Sequence, residues 1–262
     1  MGAILLDPLA ALGRGVIAAC HAVGNLGLFA LEATSHLLRP PFYGRLFWRA
    51  FVEIAWFSLP VVALTAVFTG MVLALQSYTG FARFNAQSAI ASVVVISLVR
   101  ELGPVLAALM VAGRIGASFA AEIGTMRVTD QIDALTTLST NPMKYLVAPR
   151  ILAAVIALPL LVLVADVIGV MGGWLIGTQK LGFVSAAYLK STFDYLEADD
   201  VVSGLVKAAV FGFVIALMGT WCGYNSKGGA QGVGGATTKA VVASSILILA
   251  LDYVLTEIFF AQ

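Results

Sequence analysis

Long runs of apolar residues, each about as long as a membrane span, dominate the pattern along the chain. A membrane-spanning helix needs about 20 predominantly apolar residues. Five stretches reach that length: 54–75, 89–112, 151–177, 201–222 and 240–260. Strands of a membrane barrel would instead alternate over segments of about 10 residues. The pattern therefore predicts an all-α membrane protein with five transmembrane helices.

The segment 9–38 is apolar but more often interrupted by polar residues than the five spans. The interruptions are Arg14, His21, Asn25, Glu32 and His36, and the positions Leu12, Val16, Val23 and Leu26 suggest one apolar face. A helix with one apolar face and scattered charges is typical of the membrane interface. We therefore expect residues 1–50 to form an N-terminal interfacial helix region, and a sixth span is the alternative.

Composition supports the membrane class. Of 262 residues, 60% are apolar and 11% are charged, whereas a soluble domain has about 25% charged residues. This excludes an ordinary soluble enzyme, a nucleic-acid-binding domain and a disordered chain. The chain contains two cysteines and two histidines. These numbers exclude a disulfide framework and argue against a Cys/His zinc site.

The distribution of Lys and Arg predicts the orientation of the spans. Ten of these residues fall before the first span, between spans 2 and 3 and between spans 4 and 5, against three in the other two loops. The richer side is normally cytoplasmic. We expect a cytoplasmic N-terminus and a C-terminus on the opposite side.

Charged residues within or at the ends of spans are the candidate functional groups, because a charge at the bilayer centre costs about 2.5–3.5 kcal/mol on insertion scales. They are Arg100, Glu101, Asp166, Lys207, Asp252 and Glu257. Arg100 and Glu101 are adjacent, so on a helix they should face different partners. Lys207 and Asp252 lie at similar depth and could form a pair. For Asp166 we favour a structural hydrogen bond, and for Glu257 solvation near a helix end.

The segment 113–150 between spans 2 and 3 contains many small residues, followed by a polar amphipathic stretch at 129–138 and the turn Asn141-Pro142. Loops of this length without structure are uncommon. We therefore predict a short cytoplasmic helix in 113–146 that docks a partner, and a plain solvated connector is the alternative. The glycine-rich stretch 223–235 lacks the spacing of a phosphate-binding P-loop, and we expect a turn there.

The run RELGPVLAALMVAGRIGASFAAEIGTMRVTDQIDAL, which starts at Arg100, resembles the signature of MlaE-type ABC transporter permeases, the inner-membrane subunits of lipid-asymmetry-maintenance systems. The resemblance extends over nearly the whole chain, including FTGMVLALQSY at 68–78, GLVKAAVFG around Lys207 and LDYVLTEIFF near the end. The chain has Ser77 where relatives commonly have Gly, and Asp130 where they often have Glu.

The resemblance implies a single permease domain over 1–262 that acts as a homodimer. It implies an outward-facing lipid cavity at the dimer interface, carried by Leu75, Gln76, Tyr78, Arg100, Glu101, Lys207 and Asp252. It also implies that a coupling region docks a separate ABC ATPase subunit, which would bind ATP and Mg. The residues for that contact would be Arg114, Glu122, Met126, Arg127, Asp130 and Gln131.

The other partners that the resemblance implies are a periplasmic MCE-domain ring protein and, in some systems, a STAS-domain protein. The expected function is transport of phospholipid between inner and outer membranes by a permease that is not itself an enzyme and holds no cofactor or metal. An ion- or proton-coupled secondary transporter is the alternative, since Glu101, Asp166 and Asp252 could relay protons. An intramembrane lipid-modifying enzyme is a third class, but the sequence shows no nucleophile–base set for it.

Overall fold

A computed structural model gives the fold of residues 2–37, 39–84 and 86–260, without describing the side chains of residues 2–12, 19, 84 and 87. Leu38 and the side chain of Leu12, which belong to the predicted interfacial helix, therefore lie outside the described residues. The described ranges contain helices and turns but no strand, and this confirms the predicted all-α class.

Ten α-helices follow one another along the described chain. They are α1 (Gly2–Leu37), α2 (Gly44–Phe81), α3 (Ile90–Ser97), α4 (Gly103–Val111), α5 (Ala117–Val128), α6 (Gln131–Thr137), α7 (Ala148–Gln179), α8 (Ser185–Tyr195), α9 (Ala198–Tyr224) and α10 (Gly229–Phe260). Three π-helical turns, Leu98–Leu102, Ala112–Gly116 and Met143–Val147, join α3 to α4, α4 to α5 and the turn after α6 to α7. Each long helix extends beyond the apolar stretch that predicted it.

Six stretches of the described chain are long and apolar enough to cross a bilayer. Five correspond to the predicted spans, and the sixth is Gly13–Leu37 in α1. The end of α1 packs on the end of α9, where the Phe29 ring lies 5.0 Å from Trp221 and 5.9 Å from Tyr224. Length and packing are compatible with both an interfacial and a spanning α1, so the interfacial helix stays a prediction.

The second span differs most from its predicted form. Helix continues from Ile90 through two π-helical turns to Val128, well past the expected end at residue 112. The segment expected to be a loop from 113 onward is therefore helical over its first half. Its small residues serve helix packing: a Cβ on Gly219 or Gly223 of α9 would press on the backbone at Gly116 or Ala120. Small residues that let two backbones approach are typical of membrane helix interfaces.

Two further segments are helical where turns or loops were expected. Helix α10 begins at Gly229, so most of the glycine-rich stretch 223–235 belongs to its first two turns, and the real turn is confined to the few residues after Tyr224. The loop between spans 3 and 4 contains α8, whose Tyr188 and Thr192 are buried against the bundle. Gly173 and Gly177 of α7 allow this packing, because the absence of a Cβ at each leaves room for the Tyr188 side chain.

Candidate functional site

Lys207 of α9 is the centre of a charged cluster inside the bundle. Its side chain is completely buried. The ammonium nitrogen lies 2.8 Å from Glu101 Oε1 and 3.3 Å from Asp252 Oδ1, and it donates to Thr256 Oγ1 at 2.7 Å. Burying an ammonium group is costly unless it is paired and hydrogen-bonded, and these contacts from two other helices meet that requirement.

Lys207 also donates to the backbone carbonyl oxygen of Arg100, at 3.0 Å. In a regular α-helix that oxygen would accept from the N–H four residues later. Residue 104 is proline and has no N–H to donate. The lysine ammonium thus fills the place of a missing backbone donor, at the π-helical turn Leu98–Leu102.

The side chain of Arg100 points to a different partner from that of Glu101, as predicted for adjacent helical residues. Its Nε donates to Asp200 Oδ1 at 2.5 Å, and its guanidinium carbon lies 4.4 Å from the centroid of the Phe260 ring. Asp200 is almost fully buried in the first turn of α9. Its second oxygen accepts the backbone N–H of Glu197 at 3.1 Å, which caps the helix.

Asp252 and Thr256 occupy one face of α10, four residues apart. The Thr256 hydroxyl lies 3.0 Å from Glu101 Oε1 and 2.8 Å from the Asp252 carbonyl oxygen. Asp252 Oδ1 is an ion-pair neighbour of Lys207 without hydrogen-bond geometry. The predicted pairing of Lys207 with Asp252 is present. Glu101 and Asp252 remain 35% and 20% exposed, so the cluster is open on the side of these two carboxylates.

The three predicted cavity residues of α2 do not join this cluster. None of the contacts among described residues connects Leu75, Gln76 or Tyr78 with Lys207. The Tyr78 ring instead lies 6.1 Å from the Phe183 ring, in the loop before α8. Within one chain, the predicted lipid-binding set is therefore divided between a buried cluster and the far end of α2.

Four of the predicted coupling residues lie beside α6. Asp130 precedes α6 in a left-handed backbone conformation, with φ of 56°, and Gln131 donates to Thr129 Oγ1 at 3.0 Å. Arg127 pairs with Asp133 at 2.8 Å across the turn, and Met126 packs against the hydrophobic core. The predicted short helix in 113–146 is present as α6.

The other two predicted coupling residues contact neighbouring helices of the bundle, with Arg114 exposed and Glu122 half-buried. Glu122 pairs with Arg150 of α7 at 2.7 Å. Arg114 lies in the π-helical turn before α5, about 24 Å along the helix from Asp130 at 1.5 Å per residue. It donates to the Glu53 carbonyl oxygen and to Ser58 Oγ, both at 3.0 Å. Both side chains bind other helices of the same chain.

The two acids for which structural roles were favoured differ from each other. Glu257 is exposed on α10, as expected for a residue near a helix end. Asp166 of α7 is buried, and no described residue donates a hydrogen bond to its Oδ1. The predicted hydrogen bond between Asp166 and a neighbouring helix is therefore wrong, because the residue opposite the carboxylate is Gly103, which has no side chain.

Sequence reasoning missed Asp200 and Thr256. Asp200 precedes the fourth apolar stretch and is not among the candidate charged residues, although the spacing of Glu197 and Asp200 before an apolar run is a helix-start signal. Thr256 follows Asp252 by one helical turn, which places both on one face. Within the described residues, no group of three His, Cys, Asp or Glu side chains is arranged to hold a metal ion.

Comparison with known proteins gives a consistent result. A family model described as permease MlaE matches residues 47–258. A probable ABC transporter permease protein of Rickettsia felis is 60% identical over 98% of this chain and 99% of its own length. The intermembrane phospholipid transport system permease protein MlaE of Haemophilus influenzae is 34% identical over 98% of this chain and 99% of its own length. A probable ABC transporter permease protein of Synechocystis is 41% identical over 78% of this chain and 77% of its own.

Proposed function

Because the chain belongs to the MlaE permease family, we propose that it is the membrane subunit of an ABC transporter that moves phospholipids between the inner and outer membranes. Two copies would enclose the lipid in a cavity that opens outward. A separate ATPase subunit would bind and hydrolyse ATP with Mg. The observation that carries this proposal is the Lys207 cluster, a group of paired charges at membrane depth beside the weakly buried helix α10.

A phospholipid needs both a polar contact and apolar walls. The Lys207 cluster supplies the first, since the Glu101 and Asp252 carboxylates are partly exposed while Lys207 itself is saturated with acceptors. The exposed apolar residues of α10 supply the second, and they include Val242, Ile246, Leu249 and Val254. In the proposed dimer, these faces and the outer part of α2 with Leu75, Gln76 and Tyr78 would form the lipid-binding surface.

Helix α6 is the proposed contact with the ATPase. It follows α5 directly, and its residues are exposed apart from Ile132, which is buried in the core, and Leu135, which is half-buried against it. The Arg127–Asp133 pair spans the turn between α5 and α6. A push on α6 would therefore act on α5, which packs on α9 and α10 through close helix contacts. Arg114 and Glu122 would act as positioning residues, because each connects this part of the chain to a neighbouring helix.

The proposal includes the inner membrane as the site of action, with the N-terminus in the cytoplasm and the C-terminus on the periplasmic side. This orientation rests on the distribution of Lys and Arg. A periplasmic MCE-domain ring protein would receive or deliver lipid at the outer end of the cavity. A STAS-domain protein bound to the ATPase, which some of these systems contain, would be a further subunit.

The test is transport in proteoliposomes containing the chain with its ATPase, measured as ATP-dependent exchange of labelled phospholipid with acceptor vesicles. We expect Glu101→Gln and Asp252→Asn to reduce the rate at least tenfold, because each removes a charge from the open side of the cluster. Glu257→Gln is the matched control and should leave the rate unchanged, since Glu257 is exposed on the same helix as Asp252.

Two outcomes would contradict the proposal in different ways. Full transport by both cluster variants in correctly assembled complexes would remove the cluster from the lipid path. Transport that needs no ATPase and follows an imposed pH gradient would favour the proton-coupled secondary transporter.

A further inference from the structure

A lateral cavity lies among four helices of the bundle. Its volume is about 410 Å³, and its walls come from α3, α7, α8 and the start of α9. The lining is apolar for the most part, including Val95, Val99 and Val170. Three lining residues, Val167, Met171 and Phe193, are between 57% and 72% exposed. The cavity is therefore open to the surroundings of the helices rather than enclosed by them.

One ionisable residue is among those that line this apolar space. Asp166 lines the cavity, and its residue exposure is 8%. Its Oδ1 lies against Gly103, where a Cβ would overlap the oxygen, and it has no hydrogen-bond partner among the described residues. A buried carboxylate without a donor is costly, so a group that supplies a donor from the cavity would stabilise it.

The other polar groups of the lining are already satisfied within the chain. The Thr192 hydroxyl donates to the Tyr188 carbonyl oxygen at 3.0 Å. The indole N–H of Trp174 donates to Ser185 Oγ at 3.1 Å. Asp166 is thus the polar group in this lining that needs a ligand.

Other acids buried or half-buried in the spans have partners in the same chain. Glu101 and Asp252 face Lys207, Glu122 pairs with Arg150, and Glu53 accepts from Ser118 Oγ at 3.1 Å. The contrast indicates that the partner of Asp166 comes from outside. The complement of an unpaired carboxylate in an apolar cavity is a cation attached to an apolar body.

We propose that this cavity binds an amphiphile with one apolar chain and a terminal ammonium group. The ammonium would donate to Asp166, and the chain would extend along α7 toward Trp174, about 12 Å away at 1.5 Å per residue. The volume lies near the lower end of the range of about 300–1,000 Å³ for small-molecule sites, which suits one chain better than two. The site is separate from the proposed lipid cavity, because Glu101 and Gly103 project from different sides of their helix.

Trp174 provides a direct reporter for the test. The full chain, with Trp48, Trp56 and Trp221 changed to Phe, is placed in phosphatidylcholine nanodiscs, whose head groups have no N–H donor. Quenching of Trp174 fluorescence is then titrated with 12-bromododecylamine, 12-bromododecanol and 1-bromododecane. We expect the amine to reach half-maximal quenching at a concentration at least tenfold below that of the other two compounds.

Two variants separate the charge from the cavity. Asp166→Asn should reduce the amine's advantage over the alcohol to less than threefold, while Val170→Phe should fill the cavity and weaken quenching by all three compounds. A chain that keeps Trp221 alone, at the opposite end of α9, should show no preference among them. The proposal is overturned if the three compounds quench Trp174 equally, or if the amine keeps its advantage in either variant. The measurement involves neither ATPase nor transport, so its failure leaves the proposed transport function unaffected.

Discussion

Lys207 and Asp166 are both buried ionisable residues in membrane-spanning helices, and their surroundings are opposite. Lys207 has two carboxylates, a hydroxyl and a backbone carbonyl within 3.3 Å. Asp166 faces a glycine and an apolar cavity, and its Oδ1 has no donor. The difference teaches that depth alone does not determine the role of an intramembrane charge. Lys207 joins three helical segments through its partners, whereas Asp166 is the residue at which we propose a ligand.

Removing the saturated charge should have the largest effect. Lys207→Met leaves Glu101 and Asp252 near each other without their cation, and breaking a buried ion pair costs about 3–5 kcal/mol. We expect a loss of that size in the free energy of unfolding, measured by denaturant titration in mixed micelles. Lys190→Met, an exposed lysine of α8, is the matched control and should change stability by less than about 0.5 kcal/mol.

Neutralising the two carboxylates that Lys207→Met leaves unpaired should restore part of the lost stability. The triple change Lys207→Met, Glu101→Gln and Asp252→Asn should recover more than half of the lost stability, because it removes the uncompensated carboxylates. If the triple variant is as unstable as Lys207→Met alone, packing rather than charge explains the cost.

Gly103→Ala tests how closely α7 and α4 approach at Asp166. The new methyl group would overlap Asp166 Oδ1 and approach the Leu98 carbonyl oxygen, and overpacking of this kind costs about 1–3 kcal/mol. In an Asp166→Ala background the cost should fall by at least 0.5 kcal/mol, the lower range of coupling for residues in contact. Equal costs in both backgrounds would show that the carboxylate is not the obstacle.

Thr256→Val sharpens the description of the Lys207 cluster. It removes the hydroxyl that accepts from Lys207 and lies 3.0 Å from Glu101. Hydrogen bonds to charged groups contribute about 1.5–3 kcal/mol each, and we expect a destabilisation at the low end of that range. Thr65→Val, whose hydroxyl donates only to the carbonyl oxygen of Val61 in its own helix, should cost less. A larger effect at Thr65 would contradict this ranking.

Tyr188 should show the smallest effect of substitution and a distinct pH dependence. Its hydroxyl is buried without a hydrogen-bond partner among the described residues, and burial raises the pKa of Tyr188 to about 12. Because the folded chain holds this proton more tightly than the unfolded chain, stability should be complete below pH 10 and fall between about pH 10 and 12. Tyr188→Phe should be near neutral at pH 7 and lose that component. Absorbance of tyrosinate at 295 nm measures the titration; ionisation of Tyr188 near pH 10 would contradict it.

The sequence predicted much of the fold and part of the cluster. Apolar length identified five spans, and the rule that neighbouring helical residues face apart led to different partners for Arg100 and Glu101. The common depth of Lys207 and Asp252 predicted their contact. These inferences succeeded because they depend on helix geometry and on the cost of burying a charge, both of which are local or nearly so.

Other features depended on tertiary packing and could not be predicted. The small residues after Gly113 are typical of close helix packing, but the sequence did not show that the second span continues through them or that they contact α9. The π-helical turns have no clear sequence signal apart from Pro104. Arg114 and Glu122 lie in a segment rich in small residues, and only the fold shows that each binds another helix of the bundle.

At the π-helical turn Leu98–Leu102, the number of residues is as important as their identity. Each residue in an α-helix rotates the next by about 100°, so the wider turn sets the phase at which Glu101 meets Lys207 and Gly103 meets Asp166. Deleting a single residue there would convert the turn to a regular α-helix, with the residues on both sides of the turn unchanged. The two halves of the helix would then be out of register, and one of the two sites would lose its partner. Insertions and deletions between residues 97 and 103 should therefore be tolerated less well than most substitutions in the same segment.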